Sequence, residues 1–305
     1  MRSMLIIANP TSGRGRGKRT AEALRQAISA ASRDVSIQYT SRSGDAGSMA
    51  RAACVDEANA PDCIVACGGD GTIQEIAHVL AELRKSGRNE IPTLGLAPAG
   101  RCNDFARVFG ISREPGVIAD TLLAGHAMPV DLGCVNGRHF CTVATVGIDA
   151  EISRFVDEMS MPLRGTPAYI YGALRVLMSY QPRGLRLEGD FGVIEEPVFL
   201  ASTANTFSYG GAVPIAPSAC PTDGWLDVCV IEFTSKWNAL KLIPSVLRGK
   251  HGAQSGVRLE RTRQVRVDAP HPLEIWADGE HVADTPALIE VVPEALSVLS
   301  AVDIK

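Results

Sequence analysis

Nothing in the chain stays apolar long enough to cross a bilayer. The longest uncharged stretch, residues 197–222, holds four prolines among many Ser, Thr and Asn, which excludes a membrane helix there. Residues 4–8 are apolar but are broken at once by Pro10 and Gly13, so no export signal is read. No CxxC pair occurs among the eight cysteines, and HExxH is missing too. That argues against a zinc site, and reduced thiols in the cytoplasm are the expectation. A basic excess is also lacking. Lys and Arg number 30 against 34 Asp and Glu, a net charge of -4, which argues against a general nucleic-acid binder. With 46% hydrophobic and 21% charged residues, and no repeat, the chain is neither disordered, collagen-like nor a long coiled coil.

What is present is a chain of 305 residues, longer than one hydrophobic core usually serves. The first 125 residues alternate strand and helix. Strands are expected at 4–8, a short buried run, at 35–39, by alternation, and at 63–67 and 93–96. Helices are expected from Ala21, Leu24, Ile28 and Ala31, over 49–55, and from Ile73, Ile76, Ala77, Leu80 and Leu83, with a short one over 105–109. This rhythm implies a parallel sheet covered on both faces, with ligands beyond the carboxyl ends of its strands. After about residue 128 the pattern changes. Asn136-Gly137 sits between two strand segments as a hairpin signal, and Asp278-Gly279 marks another. Further strands are expected at 198–202, 226–233, 265–268, 273–277 and 288–292, with helices over 168–180 and 237–247. The expected architecture is therefore α/β plus β. A nucleotide-binding α/β domain spans 1–127, a β-sandwich or barrel spans 128–299, and residues near 300–305 return to the first domain.

Charge is unevenly spread. Residues 1–50 carry eight Lys or Arg and three acids, a field suited to an anionic ligand or surface. Three turns follow strands of the same expected sheet. Cys67-Gly68-Gly69-Asp70-Gly71-Thr72 joins a strand to a helix, where free backbone donors and a positive dipole end suit phosphate. A carboxylate at Asp70 beside phosphate is repulsive unless a cation such as Mg²⁺ lies between them. The loop from Asn9 through Ser12, Gly13, Arg14 and Gly15 to Lys18 is close to a P-loop. It has Ser12 and Arg19 where glycine and Ser or Thr are required, so a P-loop NTPase is rejected. The third turn is Pro98-Ala99-Gly100-Arg101-Cys102-Asn103-Asp104. Each turn alone also reads as an ordinary loop or cap; convergence on one edge is the stronger signal.

These residues resemble the diacylglycerol-kinase catalytic-domain family, which includes bacterial diacylglycerol kinases and related lipid kinases. Asn9-Pro10 with Ser12-Gly13 and Gly15, then Thr40 with Gly44-Asp45-Ala46, match its first motifs. Gly68-Gly69-Asp70-Gly71-Thr72-Ile73 with Glu75 matches its signature, and Gly100 with Asn103-Asp104-Phe105 the next. Asp131-Leu132-Gly133, Gly147-Ile148-Asp149-Ala150, Asp223-Gly224-Trp225 and Asp278-Gly279-Glu280 follow in family order. The resemblance covers nearly the whole chain.

It implies a phosphofructokinase- or NAD-kinase-like first domain, a β-rich second domain and a cleft between them. The implied chemistry is transfer of the ATP γ-phosphoryl to a lipid hydroxyl. It implies nucleotide contacts at Asn9, Thr40, Gly68, Gly69, Asp70, Gly71, Thr72, Ile73, Gln74, Gly100, Arg101 and Asn103, and Glu280 as proton acceptor, with Asp278 the second choice. A structural Mg²⁺ site is implied at Asp223 with the carbonyls of Cys220 and Trp225. Three departures stand out: Arg101 where Thr is common, Gln74 for Asn, and Thr222 for an acid. The expected partner is a lipid substrate, met by a peripheral protein at the inner membrane face, with a homodimer left open. An apolar helix carrying Tyr169, Tyr171, Leu174, Val176, Leu177 and Met178 reads as core packing, or else as an acyl-chain or membrane surface. A soluble-nucleotide kinase and a non-catalytic lipid-binding module are the competing readings.

Overall fold

The computed structural model describes residues 3–88, 90–149, 151, 152, 155, 166–233 and 235–304. The chain forms two compact units, Met1–Asp131 with Pro293–Lys305, and Leu132–Val292. The boundary lies near the expected one, but the return to the first unit begins at Pro293, several residues earlier than expected.

In the first unit, β1 (Ser3–Ala8), β3 (Cys63–Gly68) and β4 (Thr93–Pro98) are the expected apolar strands, and β2 (Asp34–Tyr39) is the expected alternating one, with no buried residue. They run parallel in the order β4-β3-β1-β2. The end of β15 (Ala287–Leu299) joins as a fifth parallel strand through Val298 beside Leu94, and this pairing is what draws the chain back early. Every residue of β3 is buried, as a central parallel strand requires. Helices α1 (Ser12–Ala30) and α5 (Pro115–Ala124) pack together, as do α2 (Asp45–Ala53) and α3 (Asp70–Lys85); short α4 (Asp104–Val108) follows β4. From β1 the chain steps outward to β2, then back past β1 to β3. With right-handed crossovers, that reversal opens a crevice at the carboxyl ends of β1 and β3.

The second unit is built from the end of β5 (Ala127–Val135), β6 (Arg138–Phe140), β7 (Val143–Gly147), β8 (Arg183–Gly189), β9 (Gly192–Ala204), β10 (Leu226–Glu232), β11 (Val257–Thr262), β12 (Gln264–Asp268), β13 (Glu274–Ala277), β14 (Glu280–Asp284) and the start of β15. Strand β9 serves two ladders. Its first half pairs with β8, which continues to β12 and β15; its second half lies between β7 and β10. One strand shared this way folds the ladders over a common core of Val146, Leu187, Ile194, Val228, Val265 and Ile275. Helices α6 (Thr166–Ser179) and α7 (Lys236–Val246) cover a second apolar cluster on the other side of β9 and β10, around Phe199, Leu200 and Ile231. Both expected hairpin turns form, with Asn136-Gly137 at φ 47° and 90° and Asp278-Gly279 at φ 52° and 86°.

Candidate active site

The three turns of the first unit are interlocked through backbone atoms. The Gly68 carbonyl accepts hydrogen bonds from the N–H groups of Ala99 (2.7 Å) and Gly100 (3.0 Å). A side chain at Gly100 would put Cβ 2.5 Å from the Gly69 Cα, and one at Gly13 would put it 2.1 Å from the Ala99 carbonyl oxygen. Only glycine permits these approaches. In the first turn, Asn9 Oδ1 accepts from the Thr11 N–H, the Thr11 hydroxyl and the Ser12 N–H, folding the loop back on itself. Gly13, Arg14 and Gly15 are then left-handed at φ 56°, 62° and 84°, so the regular helix of α1 starts only after them. In the third turn, buried Asn103 is left-handed and clasps Gly100 through both side-chain atoms. Its N–H donates to Asp70 Oδ2 at 2.7 Å, so the signature carboxylate is aimed by the neighbouring turn.

Thr40 is buried at the end of β2, its N–H held by the Ala8 carbonyl. The loop beyond it is fixed by Asp45, which accepts from Ser41 and Arg42; those donors hold its carboxyl well below the usual range. Glu75 on α3 reaches across and accepts from the Gly44 N–H (2.8 Å) and the Gly47 N–H (3.2 Å). No sequence argument assigned Glu75 this bracing role; its place in the signature was the signal available.

Some of the residues expected at the nucleotide are buried. Ile73 is fully buried and its N–H bonds the Gly69 carbonyl, so it belongs to the core. Gln74 is buried on α3, and Thr72 turns its side chain toward Gly68. Asn9, Gly69, Asp70 and Gly71 are partly open, and Arg101 is exposed.

In the second unit Asp278 and Glu280 differ sharply. Asp278 accepts from the N–H groups of Cys141 and Thr142 and from the Thr142 hydroxyl. Burial pushes its carboxyl up against those donors. Both its oxygens are thus engaged with the segment leading into β7, whereas the expected role was that of a second-choice proton acceptor. Glu280, at the start of β14, is partly exposed and meets the Arg138 guanidinium at 2.7 Å. Arg138 is presented by the Asn136-Gly137 hairpin.

At the expected metal set, the Asp223 carboxylate is already held by groups of the protein itself. One Asp223 oxygen takes the Arg261 guanidinium and the other the Trp225 N–H at 3.0 Å. Arg261 also lies 3.6 Å from Asp227 Oδ2, and the guanidinium carbons of Arg261 and Arg263 stand 5.4 and 4.6 Å from the Trp225 ring centroid. Cys220 Sγ is paired with the Thr222 hydroxyl at 3.2 Å. Thr222 adds no carboxylate here, but Asp227 lies close by: burial, and to a lesser degree the Asp223 charge, raise its pKa.

Asp149 lies at the end of β7. It is buried and accepts hydrogen bonds from the hydroxyls of Thr145 (2.8 Å) and Tyr209 (3.1 Å). Desolvation raises its pKa to about 6. Ala150, next in the motif, lies outside the described residues, as do the side chains of Tyr169 and Leu174. Asp149 borders an apolar cavity of about 150 Å³, walled by Ile148, Leu177, Phe199, Leu242 and Val246 among others. In the apolar helix Val176 and Leu177 are buried, whereas Tyr171 and Met178 are exposed.

A glycine-built crevice at the switch point of a parallel sheet, followed by a β-rich unit with an apolar cavity, is the arrangement of a two-unit phosphotransferase. Residues 3–135 match the diacylglycerol kinase catalytic domain, and residues 142–300 match the YegS C-terminal NAD kinase beta sandwich-like domain. The chain is 32% identical to the diacylglycerol kinase of Bacillus subtilis over 92% of its length and 90% of the relative's. It is 32% identical to that of Mycobacterium tuberculosis, over 96% and 93%. A solved structure of a diacylglycerol kinase from Bacillus anthracis superposes with a TM-score of 0.80 at 25% identity, covering 98% of this chain and 97% of that one. The chain belongs to the diacylglycerol kinase catalytic domain family and is an ATP-dependent lipid kinase.

Proposed function

We propose that the acceptor is a diacylglycerol-class lipid, whose free hydroxyl receives the γ-phosphoryl group of ATP. The apolar cavity beside Asp149 carries this reading: it offers hydrocarbon lining with one carboxylate at its wall, suited to acyl chains ending in a polar head. The relatives' names point to the same lipid.

The interlocked turns would seat the nucleotide. N–H groups around Gly69–Gly71 and the amino end of α3 face the phosphates, and exposed Arg14 and Arg101 add positive charge. Asp70, fixed by the Asn103 N–H, would hold Mg²⁺ on the nucleotide, a role that suits a carboxylate beside phosphates. When bound, that ion neutralises charge on the transferring group. Glu280 would take the proton of the lipid hydroxyl, with Arg138 orienting its carboxylate. Because the acceptor lies in a bilayer, the enzyme would work peripherally at the membrane. Among the described residues no helix is long and apolar enough to cross one.

The test is labelled ATP with diacylglycerol in mixed micelles, and separately with a total lipid extract. The expected product is organic-soluble and has the mass of phosphatidic acid. Label found only in water-soluble products overturns the lipid acceptor.

A further inference from the structure

Helix α7 has two apolar faces. Ala239, Leu242, Ile243 and Val246 point inward and wall the cavity beside Asp149. Trp237, Leu240, Lys241 and Pro244 recur at the spacing of the opposite face, Arg248 follows past the helix end, and all are exposed, whereas Leu247, also exposed, borders the cavity as well. Trp237 is 72% exposed, Leu247 41% and Leu240 37%, an unusual outlay of large apolar groups for one surface helix. Lys236 caps the carboxyl end of α6 by donating to the Met178 carbonyl, and the Met178 side chain is itself 66% exposed. The charge here is one-sided. Between Glu232, which pairs with Arg258 at 2.7 Å, and Glu260 the sequence also contains Lys236, Lys241, Arg248 and Lys250 and no acid, in a chain whose net charge is -4.

We infer that the outer face of α7 is the surface by which this protein docks on an anionic membrane. A Trp and two Leu flanked by Lys and Arg match the interfacial zone of a bilayer. There the apolar groups enter the acyl boundary and the cations meet lipid phosphates. A second copy of the chain is a poor occupant, because a two-fold contact would set the same cations against one another. The inner face of the same helix walls the cavity, so docking would bring the acyl pocket to its lipid source; that last link rests on the lipid-kinase reading, whereas the docking itself does not.

The experiment is co-sedimentation of the full chain with phosphatidylcholine vesicles, with and without phosphatidylglycerol. Wild type should bind the anionic vesicles, and added salt should weaken that binding. The triple variant Trp237→Ala, Leu240→Ala, Met178→Ala should lose about tenfold or more in partition. The variant Lys241→Gln, Arg248→Gln, Lys250→Gln should lose the preference for anionic vesicles. Tryptophan emission should shift to the blue on vesicle binding in wild type but not in Trp237→Phe. Turnover on diacylglycerol in detergent micelles should be unchanged in the triple alanine variant, which also reports that it folds. Absence of turnover in every protein would fail the diacylglycerol reading and leave the docking result standing. The inference is overturned if the triple alanine variant sediments like wild type. It is equally overturned if Trp237→Phe keeps the spectral shift, or if the patch mediates a concentration-dependent dimer that Trp237→Ala dissolves.

Discussion

Asp278 accepts from Cys141 and Thr142, while two residues on, Glu280 stands half-open beside Arg138. Glu280→Gln keeps the shape and removes the basicity. It should cost on the order of 10²–10⁴ in turnover while ATP affinity, measured by titration, barely moves. Asp278→Asn should instead lower stability, by roughly 1–3 kcal/mol, since at least one of its donors loses its acceptor. The reverse pattern, a folded but inactive Asp278→Asn with an active Glu280→Gln, would mean the wrong acceptor was chosen. At Asp223 the guanidinium of Arg261 stands where a divalent ion was expected. Mg²⁺ should therefore leave the melting temperature of the nucleotide-free protein unchanged, and Arg261→Gln should lower it by about 2 °C. A melting temperature that climbs with Mg²⁺ in wild type would restore the metal site. Sequence alone could not separate these cases. Asp-Gly turns look alike whether their carboxylates point outward or brace a neighbouring strand, and Arg261 lies far from Asp223 along the chain.

Elements with a continuous apolar signal were legible: β1, β3 and β4 are fully or almost fully buried, and α3 shows its apolar spacing. Missed elements lie where burial is one-sided. Among the described residues β11 pairs with β10 alone and β14 with β13 alone, so apart from Leu259 their exposed positions are charged or polar and the alternation is diluted. Helix α5 carried cues that were not used, Pro115 in its first turn and Gly125 as its left-handed cap. The start of α1 was legible only as a glycine-rich loop, because its three left-handed residues break the helical spacing. Between elements, Glu75 ties α3 to the segment leading into α2. Glu75→Ala should release that loop, raising KM for ATP several-fold while leaving the melting temperature within about 2 °C of wild type. An unchanged KM would show that the loop does not serve the nucleotide.

Across the whole molecule, stability should carry the mark of Asp149. Its carboxyl ionises near 3.8 when unfolded and at about 6 in the fold, where burial outweighs the Thr145 and Tyr209 donors. Between those values the folded state binds more protons, so this group lowers stability as pH rises. The penalty is absent below about 3.8 and complete above about 6. Asp149→Asn should raise the melting temperature by about 2–5 °C at pH 8, with the gap closing toward pH 4. A gap independent of pH would mean the carboxyl is not the cause.

Strand β15 adds a consequence in time. Its end completes the parallel sheet of the first unit, through Val298 beside Leu94. A ribosome delivers that strand only after it has made the entire second unit. Until then the nascent first unit presents the free edge of β4, a row of open backbone donors and acceptors on apolar residues, to whatever passes. Premature termination before Pro293 should therefore harm most the unit farthest from the stop. Its fragment should be met by chaperones or lost to aggregation, even though nearly all of its own sequence is intact.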